Sequence, residues 1–295
     1  MAITSHLLNL KIIPKKTLGQ HFLINPRILD KIVAAAEINK DDIVVEIGPG
    51  TGNLTQKLAE KVLRQGSGQA GKIIAIEKDK RLIKELRKLF KDDENVEIIE
   101  GDVLKISPTS YKLKAKSYKI VANIPYYITS RFIRKTFEEW PKPKIVVLTI
   151  QKEVAQRIMA SPPKMNLLAL SVQYFSKPEV VGYISRENFR PRPKVDSAII
   201  KLELRSKPEK PRGPRASTGN QELRDREFQN LFFKIVRAGF FQKRKLLINN
   251  LAKKLKIEKG RLISVFRKIN LDKKSRAENL SLNNWIELVK KVKSE

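Results

Sequence analysis

The chain has no cysteine and only two histidines, His6 and His21, among its 295 residues. The first absence excludes a disulfide framework, a thiolate nucleophile and cysteine-bearing zinc sites, and it fits either a reducing compartment or simple disuse. The second leaves too few imidazoles for a histidine-built metal centre, so no metal is expected. No stretch approaches the roughly 18 uninterrupted apolar residues of a membrane span. The opening MAITSHLLNLKII is apolar but short, and without a basic leader or a small-residue cleavage site it does not read as a signal peptide. Acidic side chains are scarce as well, 31 Asp and Glu against 61 Lys and Arg, for a formal charge of +30. Such a chain calls for a strongly anionic partner, with nucleic acid in the cytoplasm ahead of an acidic membrane surface. A disordered basic tail is excluded as the whole description, because 41% of the residues are apolar and can bury a core.

From residue 43 short β-branched runs alternate with amphipathic stretches. IVVEI (43–47), KIIAIE (72–77), VEIIEG (96–101), YKIVAN (118–123) and KIVVLTI (144–150) read as strands, with helices after the first two and from Thr129 to Glu139. Apolar strands spaced by helices imply a largely parallel sheet covered on both faces. NLLALSVQYF then reads as a helix, and PEVVGYIS and DSAIIKLELR as an antiparallel pair closing the sheet edge, with ENFRPRPK held between them. RQGSGQAG (64–71) reads as a flexible loop extension, and SKPEKPRGPRASTGNQ (206–221) as a linker. Beyond it, four stretches carry apolar residues at three- and four-residue spacing. Residues 206–295 hold 24 basic and 9 acidic side chains, half of the excess charge in under a third of the chain. The expected organisation is an α/β catalytic domain over 1–205, a linker over 206–221 and an all-helical RNA-binding domain over 222–295.

EIGPGTGNLT (46–55) is a glycine-rich turn between the first strand and its helix, where α/β sheets bind adenosyl ligands. Alone, it is equally a tight strand-to-helix connection. Gly48, Gly50 and Gly52 form G-x-G-x-G, tighter than the dinucleotide fingerprint, so a pyrophosphate cradle is not specified. Glu77 ends the second strand, where a carboxylate can accept from both ribose hydroxyls. Asp102 follows the third, where it can accept from an adenine amino group. Singly, each acid is as well explained as a cap or a surface charge; at consecutive strand ends they point to a nucleoside.

The fourth strand ends in NIPYYITS (123–130). An Asn beside an apolar residue, a Pro and an aromatic at the mouth of such a sheet matches the active-site motif of enzymes that methylate exocyclic amino groups of nucleobases. An adenine N6 lone pair is delocalised into the ring and is a poor nucleophile. Two acceptors, the Asn123 side-chain oxygen and the Pro125 carbonyl, can hold both N–H groups and turn the lone pair toward an electrophile. Tyr126 offers the base a stacking face, and placement alone is worth at most roughly 7–11 kcal/mol.

On these motifs the chain resembles, over nearly its full length, the S-adenosylmethionine-dependent rRNA adenine N6,N6-dimethyltransferases that act near the 3′ end of small-subunit rRNA. KKTLGQHFLIN (15–25) looks like that family's cofactor-closing N-terminal segment, which implies cofactor contacts at His21 (through its backbone more than its imidazole) and Leu23, beside Gly48, Gly50, Glu77, Asp102 and Asn123. FRPRPKVDSAIIKLE (189–203) also matches. The resemblance implies that Phe189 sandwiches the target base against Tyr126, making Asn123, Pro125, Tyr126 and Phe189 the catalytic set. It further implies RNA contacts at Arg190, Arg192 and Lys194 and at the cluster Lys243, Arg244, Lys245. Solvated surface charge remains the alternative for that cluster. The expected fold is a Rossmann-like methyltransferase sheet with a small helical domain. The expected partner is small-subunit rRNA or the immature small subunit, met by a monomer away from membranes. A sister branch methylates large-subunit rRNA and confers macrolide resistance; VDSAII and RAGFFQKRKLLINNL (237–251) resemble the small-subunit branch. A non-catalytic assembly factor and a DNA adenine methyltransferase are the other readings.

Overall fold

The structure, a computed structural model, describes residues 13–62, 71–107, 113–114, 117–205 and 218–294. The 64–70 part of the glycine-rich extension and most of the 206–221 linker lie outside the described residues, as does the chain start up to residue 12. No helix among the described residues is long and apolar enough to cross a membrane.

Seven strands form one sheet: β2 (Ile43–Ile47), β3 (Lys72–Glu77), β4 (Val96–Glu100), β5 (Tyr118–Asn123), β6 (Ile145–Gln151), β7 (Ser176–Ile184) and β9 (Ser197–Leu204), in the order β4-β3-β2-β5-β6-β9-β7. The β-branched runs at 43–47 and 118–123 are almost wholly buried, as strands covered on both faces must be. β2 pairs in parallel with β3 on one side and with β5 on the other, and β6 pairs antiparallel with β9. The chain order therefore reverses about β2, and this opens a crevice at the carboxyl ends of β2 and β5.

The helices begin where the sequence supplies caps. Asn25 accepts from the Arg27 amide at the start of α1 (Pro26–Ala35), with Pro26 in the first turn. α2 (Asn53–Lys61) leaves the glycine-rich turn directly, and Asp79 caps α3 (Lys80–Leu89). α4 (Thr129–Glu138) follows a single 3-10 turn, Tyr126–Ile128, and α5 (Lys152–Ile158) follows β6.

A two-residue ladder lies outside the main sheet. β1 (Phe22–Leu23) pairs antiparallel with β8 (Phe189–Arg190), setting Leu23 opposite Phe189. It ties the N-terminal segment to the proline-rich loop, which the sequence reading had simply held between two strands. Phe189 is fully buried, packed in one core with Leu23, Val33, Ile184 and Ile199, and is not among the residues that line the cavity described below.

The described residues fall into two compact units. One runs to Ala155 and includes Lys177–Leu204; the other joins Gln156–Ser176 to the chain from Arg205 onward. Residues 156–176, expected in the catalytic domain, thus pack with the helical unit. The reason is aromatic: Tyr174, on α6 (Leu167–Phe175), stacks on Phe232 at 4.4 Å between centroids, and Phe175 on Phe233 at 5.7 Å. Phe232 and Phe233 belong to α7 (Thr218–Gly239), which is followed by α8 (Leu247–Leu255), α9 (Lys259–Lys268) and α10 (Leu282–Ser294). At the α7–α8 turn the buried Asn250 amide donates to the carbonyls of Gly239 and Gln242.

Candidate active site

A cavity of about 240 Å³ opens at the crevice, lined by the glycine-rich turn, the ends of β3 and β5, the loop after β4 and the N-terminal segment from Leu18 to Leu23. It brings together His21, Leu23, Gly48, Gly50, Glu77, Asp102, Asn123, Pro125 and Tyr126 of the expected set.

The turn is built for close approach. Gly50 has φ +59°, and a Cβ there would stand 3.0 Å from the Phe22 ring. Its N–H donates to Glu77 Oε2 at 3.2 Å, while Glu77 Oε1 accepts from the amides of Lys78 and Asp79 at 2.7 and 2.8 Å. Glu77 is therefore held rigidly at the cavity wall. Burial raises its pKa above the usual carboxylate value, with the three backbone amides opposing the rise.

Asp102 Oδ1 accepts from the Leu104 amide at 3.0 Å, and Oδ2 from the Lys78 ammonium at 2.9 Å. Burial pushes its pKa up, but Lys78 and the Leu104 amide outweigh it and hold the carboxyl below its ordinary value. An adenine amino group would share this acceptor with Lys78.

The sequence reading missed a third acid. Glu46, inside β2, lines the cavity at 1% exposure, and neither of its carboxyl oxygens has a hydrogen-bond partner among the described residues. Burial pushes its pKa up to about 8, the neighbouring Thr55 pulling the other way and Glu77 adding to the rise. An acid inside an apolar strand carries no motif of its own; the one signal was its place directly before the glycine-rich turn.

Asp79 was missed too. Its side chain is 1% exposed and anchors the N-terminal segment: Gln20 Nε2 donates to Oδ2 at 3.0 Å, and Arg81 pairs with the same oxygen at 2.7 Å. The Arg81 guanidinium, aided by Gln20, draws the carboxyl down to about 2. The same segment is held at Leu23, whose carbonyl accepts from Asn53 Nδ2 at 3.2 Å.

At the end of β5, Asn123 Nδ2 donates to the His21 carbonyl at 3.1 Å, fixing the amide and leaving its Oδ1 without a partner among the described residues. The Pro125 carbonyl accepts the Ile128 N–H at 3.1 Å as the first acceptor of the 3-10 turn. The Ile124 carbonyl, beside it on the cavity wall, accepts no hydrogen bond among the described residues. The Ile124 carbonyl is thus a candidate second acceptor beside the expected Pro125 carbonyl, whose remaining lone pair is still open.

Tyr126 lines the cavity with its hydroxyl 2.6 Å from Ser197 Oγ, and burial raises its pKa despite that bond, so the phenol stays neutral. Ser197, fully buried at the start of β9, lies inside the proline-rich motif but was not singled out from sequence. The aromatic partner of Tyr126 is His21, at 6.0 Å between centroids and 22° between planes, in place of the expected Phe189. The His21 Nδ1 lies 2.7 Å from the Pro191 carbonyl, which requires that nitrogen to carry the proton.

The expected RNA contacts are solvent-facing. Arg190, Arg192 and Lys194 are exposed, with Arg192 paired to Glu187 at 2.9 Å. In the helical unit Lys243, Arg244 and Lys245 are exposed in the turn preceding α8 rather than on the helix itself.

A family profile described as ribosomal RNA adenine dimethylase matches residues 13–293. Proteins named ribosomal RNA small subunit methyltransferase A are similar across the chain. The one from Dehalococcoides mccartyi (strain CBDB1) is 40% identical over 276 residues, 93% of this chain and 87% of the relative. The one from Halothermothrix orenii is 39% identical over 282 residues, 93% of this chain and 86% of the relative. Among solved structures, a dimethyladenosine transferase from Plasmodium falciparum has a TM-score of 0.70 at 31% identity, covering 90% of this chain and 94% of its own. The 23S rRNA methyltransferase ErmE shares the fold, with a TM-score of 0.71 at 23% identity over 92% of this chain and 99% of its own.

Proposed function

The chain belongs to the ribosomal RNA adenine dimethylase family, and from that premise we propose that it places two methyl groups on N6 of each of two adjacent adenosines near the 3′ end of small-subunit rRNA, acting in the cytoplasm on the immature small subunit. The methyl donor is S-adenosylmethionine, which supplies an electrophilic sulfonium methyl when bound. The cavity's residues fit that molecule. Glu77 offers carboxylate oxygens to ribose hydroxyls and Asp102 an acceptor to the adenine amine, while Glu46, protonated in the unliganded fold, has oxygens that a bound ligand could engage.

The observation that carries the reading is the orientation of Asn123. One of its amide hydrogens is donated to the His21 carbonyl, so its oxygen is the end free to accept from a substrate amine. Asn123 Oδ1 and the Ile124 carbonyl then hold the two N6 hydrogens and turn the lone pair toward the donor. Tyr126, locked through Ser197, supports the base by stacking, worth about 1–3 kcal/mol. The target base leaves its stack to enter, and the exposed cations of the proline-rich loop and of the α7–α8 turn grip the flanking backbone.

The test is to incubate the protein with unmethylated small-subunit particles and labelled S-adenosylmethionine. The label is expected in N6,N6-dimethyladenosine of the small-subunit RNA. Label confined to large-subunit RNA or DNA rejects the proposal.

A further inference from the structure

We propose that Tyr127 forms a second base-binding surface at the rim of the cavity, on which the nucleotide adjoining the target adenosine stacks while the target base occupies the cavity. The inference rests on the RNA reading above and names the partner of a residue that reading leaves unused.

Tyr126 and Tyr127 are consecutive in one 3-10 turn and differ in burial. The first is turned inward, its hydroxyl anchored on Ser197; the second is 59% exposed although it lines the cavity mouth. The Tyr127 hydroxyl makes no hydrogen bond among the described residues, so no polar contact explains the residue's position. Its ring is nevertheless held. Gly19 has φ +60°, and a Cβ there would stand 3.2 Å from both Cδ1 and Cε1 of Tyr127. The bare backbone of Gly19 thus backs one edge of the ring and leaves the rest to solvent.

Lys78 and Arg131 line the same cavity; Lys78 is engaged by Asp102 at 2.9 Å, and the Arg131 side chain is unpaired among the described residues. An exposed aromatic beside cations is the arrangement that binds single-stranded nucleic acid, the ring taking a base and the cations the phosphates. A single exposed tyrosine elsewhere on a surface would need no explanation. This one adjoins the ring expected to support the target base, and adjacent residues can serve adjacent nucleotides. With two neighbouring adenosines as substrate, each becomes the stacked neighbour while the other is methylated.

The experiment measures methyl transfer to unmethylated small-subunit particles by wild type, Tyr127→Ala and Tyr127→Phe, with cofactor affinity of each by calorimetry. Tyr127→Ala is expected to raise KM for the particle roughly 5- to 150-fold, which corresponds to the about 1–3 kcal/mol of one base–aromatic stack. Tyr127→Phe, which keeps the ring, should behave as wild type, and cofactor affinity should be unchanged in both. Wild-type kinetics in Tyr127→Ala overturn the inference while leaving the function intact. A matching loss of cofactor affinity assigns the ring to the cofactor and overturns it, and equal impairment of both variants assigns the effect to the hydroxyl and overturns it. If the wild-type protein itself methylates nothing in the particle, the functional reading fails first.

Discussion

A carboxylate buried inside a protein is costly in its charged form, and burial accordingly pushes the Glu46 pKa up, with Thr55 opposing the rise. In the fold its pKa is about 8, against the ordinary 4.5, so between those values the native chain holds a proton that the unfolded chain has released. Its contribution to stability is complete below pH 4.5 and is lost as pH rises toward 8. Denaturant unfolding without cofactor should therefore show wild type losing stability across that window relative to Glu46→Gln, which cannot ionise. Parallel profiles for the two proteins would mean that Glu46 is solvated or paired in solution. At this scale the sequence was only partly readable. Asn123, Glu77 and Asp102 stood out because each ends or follows a strand. Phe189 entered the expected set through the family resemblance alone, and its burial through a two-residue ladder with Leu23 was not foreseen. Such a ladder has no periodicity to detect. That the Pro125 carbonyl also accepts the Ile128 N–H of a 3-10 turn is a hydrogen-bonding fact, not a compositional one.

Among the elements, the segment from Ile13 to Leu23 does the most for the cavity with the least regular structure. One 3-10 turn and one two-residue strand are all it forms; it is held by Asp79, Asn53 and Asn123 from three different strand ends. Replacing Asp79 by Asn should release Gln20 and weaken cofactor binding by about tenfold, the worth of a hydrogen bond to a charged acceptor of about 1.5 kcal/mol. The carboxyl sits near 2 in the fold against 3.8 when free, so its stabilising contribution is present above pH 3.8 and is lost as pH falls toward 2. The difference between wild type and Asp79→Asn in thermal melts should shrink accordingly in acid; a pH-independent difference would deny Asp79 its anchoring charge. Strands and helices were legible because β-branched runs and three-four spacings are strong local signals. The anchoring of an irregular segment is not local, and a cap such as Asp79 looks the same whether or not it also holds a strap.

The whole molecule combines a net charge of +30 with a cavity walled by Glu46, Glu77 and Asp102. Arg190, Arg192, Lys194, Lys243, Arg244 and Lys245 are exposed, while Asp102 at the cavity wall is held below its ordinary pKa beside Lys78. Converting Lys243, Arg244 and Lys245 together to Gln should lower the slope of log affinity against log salt for particle binding by about 2 to 3, as three fewer phosphate contacts require. An unchanged slope would leave those side chains as solvated charge. The two-unit organisation was legible from the linker composition and the helical tail, but residues 156–176 were not assigned to the helical unit, because α6 is an ordinary apolar helix until Phe232 and Phe233 are seen to receive it. The proposed methyl transfer depends above all on the fixed amide at the end of β5. The most direct test is Asn123→Ala, with particle binding and N6-methyl formation measured side by side. Binding should stay close to wild type while transfer falls by about two to three orders of magnitude, as when one preorganised hydrogen-bonding group is removed from a transition state; transfer that persists at the wild-type rate would contradict it.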